Sequence, residues 1–248
     1  MILHVPHSSL TIPPEVRKEL LISDTELSLE LLRMTDWHTS ELFELDDHQV
    51  PRVVFPYSRL VCDVERFSDD ANEPMSMLGM GAIYERTSDG RPLRDRLRGE
   101  ARNVYLERYY YPHHLKLQEL TGGILSNRNR CLIIDCHSFP TIPLPCDRDQ
   151  SPYRPDICIG TSIHTPPELV RLIENACREQ GLSFAVDRPY SGTVVPQKYL
   201  SVDQRVKSLM IEIRRGLYID ESNGVKLATF DSARTVIRGL LLRLLGVW

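Results

Sequence analysis

The sequence predicts an α/β fold, a three-layer α/β/α sandwich around a mixed, largely parallel sheet. Short apolar runs typical of buried strands recur along the 248 residues, and helical patterns separate them. The run at residues 131–134 is apolar throughout and half of it is β-branched, as expected of a strand buried on both faces. No break in composition marks a domain boundary, so residues 1–248 are expected to form a single domain.

The first half of the chain alternates strand and helix patterns. Ser23 and Glu26 stand three residues apart before an apolar run, which is the pattern of a capping box, so a helix is expected from there to about Met34. The other elements predicted in this half are strands at residues 2–5 and 52–55, a helix that opens at residue 12 and a helix over residues 37–45.

The second half begins with a long charged helix that is expected to reach about Leu120. Pro112 should kink or break this helix because proline lacks a backbone N–H, and Gly122 and Gly123 should end it. The remaining predicted elements are strands at residues 156–161, 184–186 and from 208 onwards, a helix that starts at residues 166–168, and an amphipathic last helix from residue 230.

The composition excludes several kinds of partner. The formal net charge is −4 and the charges are mixed, which argues against nucleic-acid binding. No apolar run reaches the length of a membrane span, and no secretory signal precedes the first strand. The six cysteines form no C-x-x-C pair and several lie in apolar runs, so reduced thiols and a cytoplasmic location are expected. The sequence leaves the oligomeric state open.

Four side chains at the predicted strand ends could carry chemistry, namely His7, Asp36, His137 and Glu212. Open α/β sheets form ligand sites at the carboxyl ends of their strands. Two histidines and one carboxylate are a usual ligand set for a catalytic zinc ion, and a further carboxylate nearby can act as general base. The pattern therefore indicates a zinc hydrolase.

Each of these side chains also has a structural alternative. His137 alone could hydrogen-bond a neighbouring loop, and Asp36 could cap the following helix, with His38 as a second possible site residue. Glu212 lies in an apolar run, where an ionised carboxylate needs a cation, a metal-bound water or a raised pKa. A structural ion pair with Arg214 is the alternative at that position.

Arginines accompany the four candidates along the sequence: Arg59, Arg66, Arg214 and Arg215. Guanidinium groups bind carboxylates through two parallel hydrogen bonds, so this set predicts a small anionic substrate. Internal ion pairs of Arg66 with Asp63 or Glu65 are the alternative interpretation.

Together these motifs resemble the N-formylglutamate amidohydrolase family. The matching segments follow the order of the family and cover nearly the whole chain, at residues 5–9, 35–38, 58–66, 110–114, 135–138, 156–161, 189–192 and 212–217. Each segment alone is weak, whereas eight in order are specific.

The resemblance implies a phosphorylase/hydrolase-like fold related to zinc carboxypeptidases. It implies that one Zn²⁺ ion is bound by His7, Asp36 and His137, and that Glu212 is the general base. His114 falls on the histidine of the tyrosine-rich motif and becomes a second catalytic candidate. The matched segments add the substrate-binding candidates Arg59, Arg66, Tyr190, Ser191, Gly192 and Arg214.

The implied reaction is hydrolysis of N-formyl-L-glutamate to formate and L-glutamate, a step of histidine degradation. One position departs from the family, which usually reads Asp-x-Asn-Arg where this chain has Asp63-Val64-Glu65-Arg66. A negative charge at Glu65 would oppose an acidic substrate unless it is paired or turned away. The alternatives are a zinc amidase for another N-acyl amino acid, a catalytically silent binding protein and a cysteine hydrolase.

Overall fold

A six-stranded sheet in the order β2-β1-β3-β6-β4-β5 forms the centre of the protein, which a computed structural model describes over residues 1–45 and 50–248. Its strands are β1 (Ile2–Val5), β2 (Arg52–Val54), β3 (Cys131–Phe139), β4 (Ile157–Gly160), β5 (Phe184–Val186) and β6 (Val206–Arg214). The first four neighbours in this order are parallel, whereas β4 runs antiparallel to β6 and parallel to β5. A separate hairpin pairs β7 (Ile219–Asp220) with β8 (Val225–Lys226).

Helices cover both faces of this sheet, as the predicted sandwich requires. They are α1 (Pro14–Arg17), α2 (Asp24–Met34), α3 (Thr39–Leu42), α4 (Gly99–Tyr105), α5 (Tyr111–Arg128), α6 (Pro167–Glu179) and α7 (Phe230–Val247). Apolar side chains of α3, α6 and α7 pack on one face, and those of α5 pack on the other. The predicted fold class is therefore confirmed. Among the described residues, no helix has both the length and the apolar character that crossing a membrane requires.

The central strand β3 is longer than its apolar run suggested. All nine of its residues are buried, and it continues through Asp135 and His137 to Phe139 instead of ending before them. The reason is its neighbour β6, which pairs with β3 along the whole length and sets His137 opposite Glu212. Polar side chains are tolerated in this buried strand because they bond one another at the edge of the sheet.

The structure does not have the helix break predicted at Pro112. The chain passes from α4 through one π-helical turn, Leu106–Tyr110, straight into α5, with Pro112 in the first turn of α5. The π turn changes the hydrogen-bond pattern before Pro112, and the first turn of a helix tolerates the missing N–H of a proline. The helix therefore does not break there. Gly122 and Gly123 also do not end the helix, which continues to Arg128 and ends at Asn129 in a left-handed conformation.

The segment around Asp36 differs from the predicted helix over residues 37–45. The capping box of Ser23 and Glu26 starts α2 as predicted, and α2 ends at Met34. The next helix is only the single turn α3, and its N-cap is His38 with φ of 60°. Asp36 offers only its backbone carbonyl to Thr39, so its carboxylate is free to point towards the sheet.

Candidate active site

The carboxyl ends of β1, β3 and β6 open onto a cavity of about 1490 Å³. His7 follows β1, His137 lies near the end of β3, and Glu212 lies opposite it on β6. Asp36 reaches the same cavity from the turn after α2. The four candidates from different segments therefore line one cavity at the edge of the sheet where ligand sites form.

Three of these side chains have the spacing of metal ligands. Nδ1 of His137 lies 3.1 Å, and Nδ1 of His7 lies 3.7 Å, from Oδ2 of Asp36. The ligand atoms of the three buried residues lie within 4.8 Å of one another. Among the described residues, Nδ1 of His7 has no hydrogen-bond partner, so a bound cation would satisfy an otherwise orphaned buried atom.

Arg215 holds Asp36 in place. Its Nη2 donates to Oδ1 of Asp36 at 2.9 Å, and its Nη1 donates to the carbonyl oxygen of Arg33 at 2.6 Å. Burial opposes ionisation of Asp36, but the hydrogen bond from His137 and the charge of Arg215 hold its pKa well below the usual value. Asp36 is therefore ionised, as a metal-binding carboxylate must be.

Asp63 orients His7. Its Oδ1 accepts a hydrogen bond from Nε2 of His7 at 2.8 Å, which leaves Nδ1 of His7 with a lone pair. Nη2 of Arg59 donates to Oδ2 of Asp63 at 2.7 Å, and the hydroxyl of Tyr84 donates to the same oxygen. Burial, followed by the charge of Arg59, lowers the pKa of His7 and keeps the ring neutral. A carboxylate behind a ligand histidine is the usual way to fix its orientation in metal sites.

Asp135 orients His137 in the same manner. Nε2 of His137 donates to Oδ1 of Asp135 at 3.0 Å, and the backbone N–H of Val194 donates to Oδ2 at 3.0 Å. Burial disfavours a charged ring, but the charge of Asp135 and the hydrogen bonds of both aspartates raise the pKa of His137 well above its usual value. The environment of His137 thus favours a positive charge between two carboxylates.

Glu212 faces this group from β6. It is 5% exposed, and its Oε2 has no hydrogen-bond partner in the described part of the chain. Burial raises its pKa to about 8, and the charge of Asp36 acts in the same direction, although the charge of His137 opposes it. A carboxyl group with a pKa near neutrality is suited to accept and return a proton.

The three ligand candidates fit a zinc ion. Two imidazole nitrogens and one carboxylate oxygen are a three-residue set that leaves the fourth tetrahedral position for water or substrate. The orphaned Nδ1 of His7 and the ionised Asp36 supply two of these donors without any change of protonation.

A family model described as N-formylglutamate amidohydrolase matches residues 1–219. The chain belongs to the N-formylglutamate amidohydrolase family. The family predicted from the motifs is therefore confirmed, and so is the predicted class of enzyme, a hydrolase of linear amides.

Relatives in this family match most of the chain. The N-formylglutamate deformylase of Pseudomonas aeruginosa is 26% identical over 99% of this chain and 92% of its own length. The N-formylglutamate deformylase of Pseudomonas putida is 26% identical over 90% of this chain and 82% of its own length.

Solved structures agree with the family. The crystal structure of N-formylglutamate amidohydrolase from Ralstonia eutropha JMP134 has a TM-score of 0.85 and 25% identity, and the match covers 99% of this chain and 92% of that one. The gene product Atu2144 from Agrobacterium tumefaciens has a TM-score of 0.69 and 17% identity, and the match covers 100% of this chain and 90% of that one. The second similarity shows a shared fold.

Both arginines of the family motif line the cavity, but their surroundings differ. Arg59 donates to Asp63 through Nε and Nη2, and its Nη1 lies 3.5 Å from the carbonyl oxygen of Met34. Arg66 has a looser partner, because its Nε lies 3.6 Å from Oδ2 of Asp63 and forms no hydrogen bond with the described residues. Arg66 is therefore the freer of the two for an incoming anion.

The other substrate-binding candidates divide between the cavity and a position outside it. Tyr190, Ser191 and Gly192 line the cavity, and the hydroxyl of Tyr190 donates to Asp147 at 2.8 Å. Arg214 is not among the residues that line it, and its guanidinium pairs with Asp156. Arg214 therefore does not pair with Glu212 either, which removes the structural alternative for that carboxylate.

His114 lines the cavity on α5. Its Nε2 donates to the carbonyl oxygen of Val64 at 2.9 Å, and its ring stacks on Tyr110 with a centroid separation of 4.1 Å. Burial lowers its pKa to about 4, so the ring is neutral near pH 7. A neutral ring with its Nε2–H engaged can orient a neighbour, whereas it is a poor general acid.

The sequence assigned no definite role to three residues that the structure places in or behind the site. Asp63 and Asp135 stand behind the two histidines, and Arg215 rather than Arg214 reaches Asp36. Both aspartates lie inside segments that match the family, and this was the sequence signal that could have identified them. Arg215 could not be separated from Arg214 because the short 3₁₀ turn Arg215–Leu217 starts there and ends the strand alternation.

Proposed function

We propose that the protein is a zinc-dependent amidohydrolase that cleaves N-formyl-L-glutamate into formate and L-glutamate. The observation that carries the proposal is the group of His7, Asp36 and His137 beside Glu212 in a cavity lined by arginines. The names of the Pseudomonas relatives support the same substrate. The single Zn²⁺ ion is proposed from the donor set of two nitrogens and one oxygen.

Glu212 moves the proton in this proposal. A zinc ion in the histidine–aspartate group would polarise the formyl carbonyl and lower the pKa of a water molecule to about 7. The Glu212 carboxylate takes a proton from the attacking water and then passes it to the leaving amino nitrogen. Its pKa of about 8 matches a group that changes protonation state in the neutral range.

The arginines of the cavity hold the anionic end of the substrate. Arg66 lines the cavity with only a loose ion pair of its own, and Arg148 lines it from the loop after β3. No hydrogen bond or ion pair within the described residues engages Arg148. Two such cations suit a substrate with two carboxylates, because each can form charge-assisted hydrogen bonds with one of them.

A different N-acyl amino acid is the second candidate substrate. The cavity of about 1490 Å³ exceeds the 300–1,000 Å³ or so that is typical of pockets for drug-sized ligands. Glu65 also lines it, beside Arg66. Both features favour a substrate larger than N-formyl-L-glutamate, or one that brings a hydrogen-bond donor to Glu65.

Comparison of kcat/KM across a substrate panel tests these proposals. The panel contains N-formyl-L-glutamate, N-acetyl-L-glutamate, N-formyl-L-glutamine and N-formyl-L-leucine, each assayed with the zinc-loaded protein. We expect the highest kcat/KM for N-formyl-L-glutamate. A higher value for another member would favour the second candidate, and zinc binding without turnover of any member would favour a silent binding protein.

Residues 1–248 are proposed to act as one domain in the cytoplasm, within histidine degradation. These points come from the composition and the family. Hydrolysis of N-formyl-L-glutamate by the cytoplasmic fraction of a cell extract would test the location.

A further inference from the structure

A second group of ligand-type side chains lies beside the first and shares no residue with it. It consists of His4 on β1, Asp135 on β3 and Glu65 in the loop after β2. Nδ1 of His4 lies 2.9 Å from Oδ1 of Asp135 and 3.2 Å from Oε1 of Glu65. The three ligand atoms all lie within 4.8 Å of one another.

These separations suit atoms that share one metal ion. Metal–ligand bonds of about 2.1 Å place neighbouring ligand atoms about 3.0–3.4 Å apart in octahedral or tetrahedral geometry. Both distances from Nδ1 of His4 lie close to that range. One nitrogen and two carboxylate oxygens are donors that zinc and manganese accept.

The carboxyl group of Glu65 has contacts with histidines but no hydrogen bond with the described residues. Its Oε1 is buried without a hydrogen bond to any described residue, and its Oε2 lies 3.9 Å from Nε2 of His137. Asp135 stands beside it, completely buried. A partly buried carboxylate beside a completely buried one is repelled by it, and the pair is costly unless a cation compensates the charges.

The other two donors are held in place by bonds on their far sides. Nε2 of His4 lies 2.7 Å from Nε2 of His113, and when it donates that hydrogen bond Nδ1 presents a lone pair to the group. The backbone N–H of Val194 fixes Oδ2 of Asp135, which directs Oδ1 towards His4. These outer contacts resemble the support that Asp63 and Arg215 give to the first group.

We propose that His4, Glu65 and Asp135 bind a second divalent cation beside the His7, Asp36 and His137 group. Glu65 supplies the ligand in the position where this chain departs from the family motif. An ion there would neutralise Glu65 and remove the charge conflict between that side chain and an acidic substrate. The proposal concerns metal binding alone, so its test does not depend on which substrate the protein uses.

Metal stoichiometry tests the second site. The wild-type protein and the Glu65→Gln variant are loaded with Zn²⁺ or Mn²⁺, freed of excess ion by gel filtration, and analysed by mass spectrometry of the metal. We expect two ions per wild-type chain and one per E65Q chain. Glu212→Gln is the matched control, because Glu212 lines the same cavity outside both groups, and it should keep two ions.

One ion per wild-type chain under saturating metal would overturn the proposal, and so would two ions per chain in E65Q. Glu65→Asn serves as a second variant if E65Q does not fold. Anomalous diffraction from wild-type crystals soaked in Zn²⁺ needs no variant at all. A peak bounded by His4, Glu65 and Asp135 is expected, and its absence beside an occupied first site would also overturn the proposal.

Discussion

Nδ1 of His137 lies 3.1 Å from Oδ2 of Asp36, although 101 residues separate them along the chain. His137 comes from the central strand and Asp36 from the turn after α2, so the contact exists only in the folded sheet. His7 joins them from the end of β1. The candidate metal site therefore depends on the whole α/β framework, and its supporting residues can be tested one at a time.

Asp63→Asn should weaken zinc binding while leaving the three ligands unchanged. The amide cannot accept the hydrogen bond of His7 as strongly as the carboxylate does, so the ring loses its fixed orientation. Removing such an outer partner costs about 10–100-fold in metal affinity. Competition with a chromogenic chelator measures the change, and unaltered zinc affinity in a folded D63N protein would contradict the assigned role.

Glu212→Gln should keep the metal and lose the rate. The glutamine preserves the shape of the side chain but cannot accept a proton, and general base catalysis contributes about 10²–10⁴-fold. Zinc content and kcat measured on the same preparation separate the two effects. Near-normal kcat with full zinc occupancy would remove Glu212 from the mechanism.

Arg66→Ala should raise KM for N-formyl-L-glutamate, whereas Arg214→Ala serves as the matched control. Arg66 lines the cavity, and a hydrogen bond to a charged group contributes about 1.5–3 kcal/mol, equivalent to roughly a 10–150-fold loss of binding. Arg214 is committed to Asp156 outside the cavity, so its loss should leave KM within about twofold. Equal effects of the two substitutions on KM would contradict the placement of the substrate.

His114→Gln should reduce the acid sensitivity of folding. Burial lowers the pKa of His114 to about 4 in the folded protein, against about 6.5 in an unfolded chain. Between these values the unfolded state binds the extra proton, so the free energy of unfolding decreases as pH falls below about 6.5. The Gln amide can still donate to Val64 but does not titrate.

Urea denaturation at pH 7.5 and at pH 5.5 measures this effect of His114. The wild type should lose more free energy of unfolding between the two pH values than H114Q does. An identical loss in both proteins would show that His114 does not take up a proton on unfolding.

The sequence predicts local features of this fold better than long-range ones. The capping box at Ser23 and the apolar core of β3 depend on neighbouring residues, and the structure has both. The continuation of α5 through Gly122 and Gly123 depends on tertiary packing, because its residues Leu117 and Leu125 pack on the sheet from either side of the glycines. Prediction from local propensity was therefore wrong where tertiary packing determines the length of the helix.

The same distinction applies to the site. Strand-end patterns and motifs point to His7, Asp36, His137 and Glu212, which the structure brings to one cavity. The sequence cannot show that Arg215 reaches Asp36, since that contact spans 179 residues. The partners of a buried charge become visible only when the elements are packed together.

Formate release from N-formyl-L-glutamate, measured before chelation, after chelation and after return of zinc, tests zinc-dependent hydrolysis most directly. The His7, Asp36 and His137 group predicts that activity disappears when the chelator removes the metal and returns with added zinc. His137→Ala, which deletes one ligand, should stay inactive after the same addition. Full activity in the metal-free protein, or in H137A, would contradict a catalytic zinc ion at this site.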